Sequence, residues 1–263
     1  VDANSRPMLQ VLAGGASPST ATTRQWWRTM MDHRANWLLS SLDPDDFVLL
    51  EPHMEHVELP LGHVLYEAGE LIGHAYFPHD ALISLVTLLR DGGTVEMAVF
   101  GREGVTGFAG ALTTREALGR YLVQLPGTAT RIRLEPLQEA FETRPNLRQL
   151  FLRYVEALLT QTFQIVACNA VHSVEARCCR WLLSTHDRVG RDELPLTHEF
   201  LAEMLGVQRP TVSLITRTMQ TAGLIAQRRG VIVILDRKGL EETVCECYAN
   251  TRRAFERLRL APS

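Results

Sequence analysis

Four arginines stand in the stretch 204–235 with no acidic residue among them: Arg209, Arg217, Arg228 and Arg229, a local balance of +4. Gln208, Thr211 and Ser213 cluster around the first of them. A guanidinium forks two donors onto paired acceptors, and amide or hydroxyl groups can donate or accept. Such a set can read base edges of a nucleic acid through Gln208, Arg209, Thr211 and Ser213, while Arg217, Arg228 and Arg229 reach phosphates. His198, ten residues upstream, is assigned to the same basic surface. From 37 to 140 the balance is reversed, with 15 Asp/Glu against 6 Arg, or −9. The overall net charge of −3 therefore hides an acidic front and a basic back, which implies two jobs.

Cysteine and histidine offer other chemistries. The five cysteines (168, 178, 179, 245 and 247) are an odd number confined to the last hundred residues, which is no secreted disulfide framework. Cys245-Glu246-Cys247 could take a soft metal or be oxidised, although ordinary thiols are the simpler reading and no metal ligands are assigned. Cys178 and Cys179 point apart on a helix, so one is expected in the core. His53, His56, His63, His74 and His79 crowd one region at spacings that match no standard ligand motif. A metal-dependent enzyme of the cupin type therefore lacks its ligands.

These residues need elements to position them. Residues 1–36 are read as a flexible tail, with a short helix through Trp26 and Trp27. Asp43 before Pro44 is an N-cap for a helix through Leu50. From Val57 to Ile132 the pattern is of short strands between glycine turns: Val57–Leu61, Val64–Glu67, Ala75–Pro78, Ala81–Leu89, Val95–Phe100 and Tyr121–Leu125. A rolled antiparallel sheet over 37–144 follows. Over 145–172, Leu147, Phe151, Tyr154, Leu158, Gln161, Ile165 and Cys168 form a heptad seam read as the dimerisation face. A second stripe of Leu152, Val155, Leu159, Thr162, Val166 and Asn169 runs beside it, so one helix packs on two sides. Ser173 caps the next helix after a kink at His172-Ser173, opening a unit over 173–238.

Within that unit, Thr197–Leu205 is an N-capped helix, Gly206-Val207-Gln208 a short turn, and Pro210–Met219 a second helix closed by Gly223. Ile225–Arg228 and Val231–Leu235 flank the Arg229-Gly230 turn, making a β-wing. A helical extension over 239–263, chiefly Leu240–Leu258, completes the chain.

Three stretches carry a resemblance: the glycine-punctuated strands between Gly62 and Gly107, Asn169-Ala170-Val171-His172-Ser173-Val174-Glu175-Ala176-Arg177, and Leu205-Gly206-Val207-Gln208-Arg209-Pro210-Thr211-Val212. Over about Leu38–Leu235 the chain resembles the Crp/Fnr family of bacterial transcription regulators, relatives of the cAMP receptor protein. The resemblance implies an α+β fold: a cyclic-nucleotide-binding-type β-roll, a long dimerisation helix and a C-terminal winged helix-turn-helix. It implies a homodimer on a palindromic double-stranded operator, with RNA polymerase as a further partner of an activator. The family's guanine-reading arginine matches Arg209. Where the family commonly has Glu, this chain has Pro210, and a second base-reading arginine of the cAMP receptor protein falls at Leu214. A different operator follows, with Thr211 and Ser213 as secondary readers.

The family's nucleotide pocket also departs. Its ribose-binding acid falls at Phe108 in Gly104-Val105-Thr106-Gly107-Phe108-Ala109-Gly110, and its phosphate arginine falls near Arg120-Tyr121. Burying an unpaired ribose hydroxyl costs about 1–3 kcal/mol, so cAMP is not expected as effector. Gly107, Phe108, Arg120, Tyr121 and Thr162 are the candidates for any other small molecule. The oxygen-sensing branch holds its iron–sulfur cluster through N-terminal cysteines, and residues 1–167 contain none. A thiol switch at Cys168, Cys178, Cys179, Cys245 or Cys247 is the alternative control.

At 46% hydrophobic and 22% charged, the chain is of globular composition. No apolar run reaches the roughly 18–20 residues of a membrane span, and no basic-then-apolar leader opens it. The expectation is a cytoplasmic regulator without membrane contact.

Overall fold

The computed structural model describes residues 32–90, 93–112 and 114–260. The expected helix at Trp26 and Trp27 lies outside them, as does most of the expected tail. The tail's boundary at 36 is corrected, because the folded unit begins at His33. Asn36 is buried: its amide donates to the carbonyls of Pro78 and Gly104, both at 2.9 Å. Its Oδ1 accepts from Leu38 N and Leu39 N, capping α1 (Trp37–Ser40). Helix α2 (Pro44–Leu50) starts at Asp43 as expected, but that carboxylate makes no cap bond. It accepts instead from Asn146 Nδ2 at 2.6 Å.

Two antiparallel sheets form the N-terminal domain. One has the order β1 (Met54–Leu59), β7 (Gly127–Arg133), β3 (His74–Pro78). The other runs β2 (Val64–Tyr66), β6 (Arg120–Leu125), β4 (Leu82–Leu88), β5 (Thr94–Phe100). Phe77, Ala129 and Ile132 of the first meet Ile83, Phe100, Tyr121 and Val123 of the second in one apolar core. Strand β7, central in its sheet, was not among the expected strands. Short helix α3 (Phe108–Ala111) lies in the loop after β5, and α4 (Leu134–Thr143) follows β7.

Helix α5 (Pro145–Val171) is 27 residues long. Here the structure corrects the reading of its two stripes. Leu147, Phe151, Tyr154, Gln161, Ile165 and Cys168 are buried within their own chain, and Leu158 packs partly buried on the same core. Tyr154 Oη donates to Val105 O at 2.7 Å, and Gln161 Nε2 donates to Val99 O at 3.1 Å. The seam assigned to dimerisation is thus used up inside the protomer. The stripe left in solvent is Leu152, Leu159, Phe163 and Val166, between 47% and 64% exposed.

The hinge is as expected. Helix α5 ends at Val171, and Ser173 Oγ accepts from Ala176 N to cap α6 (Val174–Val189). Cys178 and Cys179 are both buried, which corrects the expectation of one core residue and one neighbour. Strand β8 (Glu193–Leu194) joins the wing strands β9 (Ile225–Arg228) and β10 (Val231–Ile234) in the order β8-β10-β9. The expected C-terminal helix is broken at Val244-Cys245 into α9 (Arg237–Thr243) and α10 (Glu246–Leu260). Helix α10 returns along α5 in the opposite direction. Asn250 donates to Gln164, the Phe255 ring lies 6.4 Å from that of Tyr154, and Leu258 enters the sheet-domain core.

Candidate nucleic-acid interface

Helix α7 (His198–Leu205) begins at Thr197, whose hydroxyl accepts from Phe200 N at 3.2 Å. It ends at Gly206, whose φ of 62° is a left-handed conformation that a side chain would strain. That turn lets Val207 N return to Ala202 O at 3.0 Å. Helix α8 (Arg209–Thr221) starts with Pro210 in its first turn, where a missing N–H costs nothing. Leu201, Ala202 and Leu205 of α7 pack with Val212, Ile215 and Met219 of α8, fixing the pair.

The opposite face of α8 is open. Gln208, Arg209 and Arg217 are exposed, Leu214 is 67% exposed, and Thr211 is half-buried. Arg209 Nε lies 2.9 Å from Glu199 Oε1, with both side chains more than 60% exposed. An ion pair so exposed is worth no more than about 1 kcal/mol, so the guanidinium can be exchanged to another acceptor. Arg228 pairs comparably with Glu193 at 3.2 Å, and Arg229 is exposed at the wing turn.

His198 stands differently from expected. Its Nδ1 is 3.0 Å from Ser213 Oγ, and its Nε2 is 2.7 Å from Gln227 Oε1 and 3.3 Å from Thr216 Oγ1. Both ring nitrogens are committed inside the domain, so His198 braces α7, α8 and the wing against each other. Ser213 is turned toward that brace. Leu214, in contrast, stands exposed on the open face of α8.

The effector candidates do not converge. Phe108 is buried, its ring 4.3 Å from Phe151 and 5.5 Å from Phe141. Tyr121 is buried against Phe100 and Tyr66, and burial pushes its phenol up to about 12. Arg120 Nε is held 2.9 Å from Glu67 at the surface. Thr162 Oγ1 donates to Leu158 O of its own helix at 3.1 Å. Gly107 has a φ of 78° and starts α3, where an added Cβ would press on Ile72. Of the five, Phe108 and Tyr121 are packed among other rings.

The DNA-side unit is docked on the sheet domain. Arg188 Nε of α6 donates to Glu103 Oε1 at 2.6 Å, with both side chains under 10% exposed. Its other nitrogens donate to Gln161 Oε1 and Ser184 O. Around the cysteines, burial pushes Cys179 up to about 11 and Cys247 up to about 12. Protonated thiols are poor nucleophiles, the reverse of what an oxidant-sensing switch requires.

The family model of the Crp-like helix-turn-helix domain matches residues 176–243. The transcriptional regulator SdrP of Thermus thermophilus is 28% identical over 195 residues, 68% of this chain and 92% of that protein. Among solved structures, FixK2 from Bradyrhizobium japonicum matches with a TM-score of 0.63 at 15% identity, over 73% of this chain and 98% of its own. A CRP-family transcriptional regulator, also from Thermus thermophilus, matches with a TM-score of 0.57 at 22% identity, over 71% and 95%. These structures share the fold of sheet domain, long helix and winged helix-turn-helix. With a tightly braced helix pair, an open arginine face and a matching domain model, residues 176–243 are a Crp-like helix-turn-helix domain, in a chain similar over most of its length to Crp/Fnr-type transcription regulators.

Proposed function

We propose that the protein acts in the cytoplasm as a homodimer that reads a palindromic operator, with one α8 in each of two successive major grooves. The observation that carries this reading is the α8 face itself: Gln208, Arg209, Thr211, Leu214 and Arg217 point away from a core that His198 braces. Arg209 is the guanine reader, and Arg217, Arg228 and Arg229 are phosphate contacts. Leu214, where the cAMP receptor protein has an arginine, suits the methyl group of thymine. The open stripe of α5 (Leu152, Leu159, Phe163 and Val166) is the dimer seam, and twofold pairing through it sets the two α8 helices about 34–36 Å apart. Cyclic AMP is not the effector, since Phe108 offers no acceptor to a ribose and its ring is packed on Phe151.

Selection from random duplexes, followed by affinity measurements across a salt series, tests the reading. Arg209→Ala should lose about 1–3 kcal/mol of preference, roughly 5- to 150-fold, for the selected site. Arg217→Ala should weaken selected and random DNA alike and reduce the salt slope by about one. Equal effects of the two substitutions on both duplexes would refute the roles. Equal affinity for a single half-site and the palindrome would refute the dimer.

A further inference from the structure

At the hinge between α5 and α6, three cysteines and a histidine from distant parts of the chain converge. Cys168 lies on the last turn of α5 and His172, four residues on, is its C-cap, while Cys245 and Cys247 flank the first residue of α10. Among the described residues this is the one group of three or more His, Cys, Asp or Glu side chains able to hold a metal ion, and its ligand atoms all lie within 4.8 Å of one another. Cys168 Sγ is 3.5 Å from Cys245 Sγ, and Cys247 Sγ is 3.6 Å from His172 Nδ1. A tetrahedral zinc with Zn–S of about 2.3 Å and Zn–N of about 2.0–2.1 Å has edges of about 3.8 Å between sulfurs and about 3.5 Å between sulfur and nitrogen. These two distances already approach the edges of that tetrahedron.

The surroundings match as well. His172 turns Nδ1 to the sulfurs while its Nε2 lies 3.4 Å from Glu246, the carboxylate–imidazole–metal order that orients a ligating histidine. Arg180, only 9% exposed, donates from Nε to Cys168 Sγ at 3.2 Å. A metal-bound thiolate at Cys168 would place negative charge directly against this guanidinium.

We infer that Cys168, His172, Cys245 and Cys247 form a closed Cys3His site for one zinc ion, which staples the end of α5 to the start of α10. Binding replaces three thiol protons, released to solvent, and uses a neutral imidazole, so the filled site carries one net negative charge opposite Arg180. Three thiolates and one imidazole in a tetrahedron select zinc. An iron–sulfur cluster must fit several iron and sulfide atoms between its ligands, and atoms this close leave no such room. A Cys168–Cys245 disulfide would need its sulfurs drawn in to about 2.05 Å and would leave Cys247 and His172 idle.

The full-length protein, purified without chelators, should contain about one zinc per chain by elemental analysis. Chelation should lower its melting temperature, and zinc should restore it. Cobalt added to the chelated protein should give the sulfur-to-metal charge-transfer and intense ligand-field bands of a tetrahedral thiolate site. Cys245→Ser and Cys247→Ser should each lose the metal, while Cys178→Ser, in a separate apolar cluster, should keep it. Folding of the variants is followed by circular dichroism, and the cobalt spectrum of the unaltered protein decides independently of them. Zinc below about a tenth of an equivalent with no cobalt thiolate bands, a Cys168–Cys245 disulfide in protein purified anaerobically, or full zinc retention by the Cys245→Ser and Cys247→Ser proteins would each overturn the inference. None of these measurements involves DNA, so their failure is separable from failure of the operator reading.

Discussion

The Arg188–Glu103 pair is the sharpest place to perturb the union of the two domains. Its charges are taken from water almost completely, at 7% and 6% side-chain exposure, and the contact joins α6 to the loop after β5. Arg188 has other partners, the amide oxygen of Gln161 and the carbonyl of Ser184, but both are neutral. Glu103→Leu therefore leaves a buried cation without a counter-charge, a change that costs about 3–5 kcal/mol. At roughly 2–4 °C per kcal/mol for a chain of this size, the melting temperature should fall by about 6–20 °C. Removing both charges is a different perturbation. Glu103→Leu with Arg188→Met replaces an expensive ion pair by apolar side chains, so the double variant should stand within about 1 kcal/mol of the parent or above it. Urea unfolding of the four proteins gives the coupling directly. A single-variant cost below about 1 kcal/mol, or a double variant as unstable as the two singles added together, would refute the reasoning.

Two further predictions rest on groups outside the DNA face. Glu96 is buried, with Oε2 accepting from Ser84 and Gln124, and burial raises its pKa above the ordinary carboxylate value of 4.5. The folded state thus holds this proton more tightly than the unfolded one, so the stability is complete below the ordinary value and is lost as pH rises through the raised one. Glu96→Gln imitates the protonated form; it should be more stable than the parent at neutral pH and lack that part of the slope, and parallel melting profiles from pH 4 to 8 would refute this. On α5, Phe163→Asp puts a charge on an exposed apolar stripe and should convert the proposed dimer to monomer in sedimentation, with no more than about 0.5 kcal/mol change in protomer stability. An unchanged sedimentation coefficient would move the interface elsewhere.

Legibility tracked the range of the forces. The helix-turn-helix was readable because its determinants are local: Thr197 as cap, Gly206 at the turn, Pro210 in the first turn, and apolar residues at helical spacing on both helices. The long helix was readable as an element, but its inward face was misassigned. The heptad seam contains Tyr154 and Gln161, whose burial depends on Val105, Val99 and Arg188, all far away in sequence. The side left in solvent still carries Leu152, Leu159, Phe163 and Val166, so apolar character alone did not tell the two sides apart. Strand β7 was missed because its alternation is carried partly by threonine. Thr130 is wholly buried, satisfied by His33 and His79. His198 read as a surface cation for the same reason: the brace partners Ser213, Thr216 and Gln227 become visible only when the wing closes on α7.

The hinge cluster lies where the family pattern stops. The Crp-like domain match ends at residue 243, and Cys245 is two residues beyond it. The next helix, α10, does not remain with the DNA-binding unit but runs back along α5 into the sheet-domain core. The DNA-binding unit is therefore tied to the rest of the chain twice, by the backbone at His172-Ser173 and again at Val244-Cys245. Cys168 and Cys245 bring these two ties within 3.5 Å of each other. Two ties at one spot leave a pivot, and the Arg188–Glu103 contact lies away from it, on the opposite end of α6. The Arg188–Glu103 pair does not hold that interface alone, because Leu82, Val99 and Leu125 of the sheet domain share one apolar core with Leu182, Leu201 and Leu205 of the DNA-binding unit.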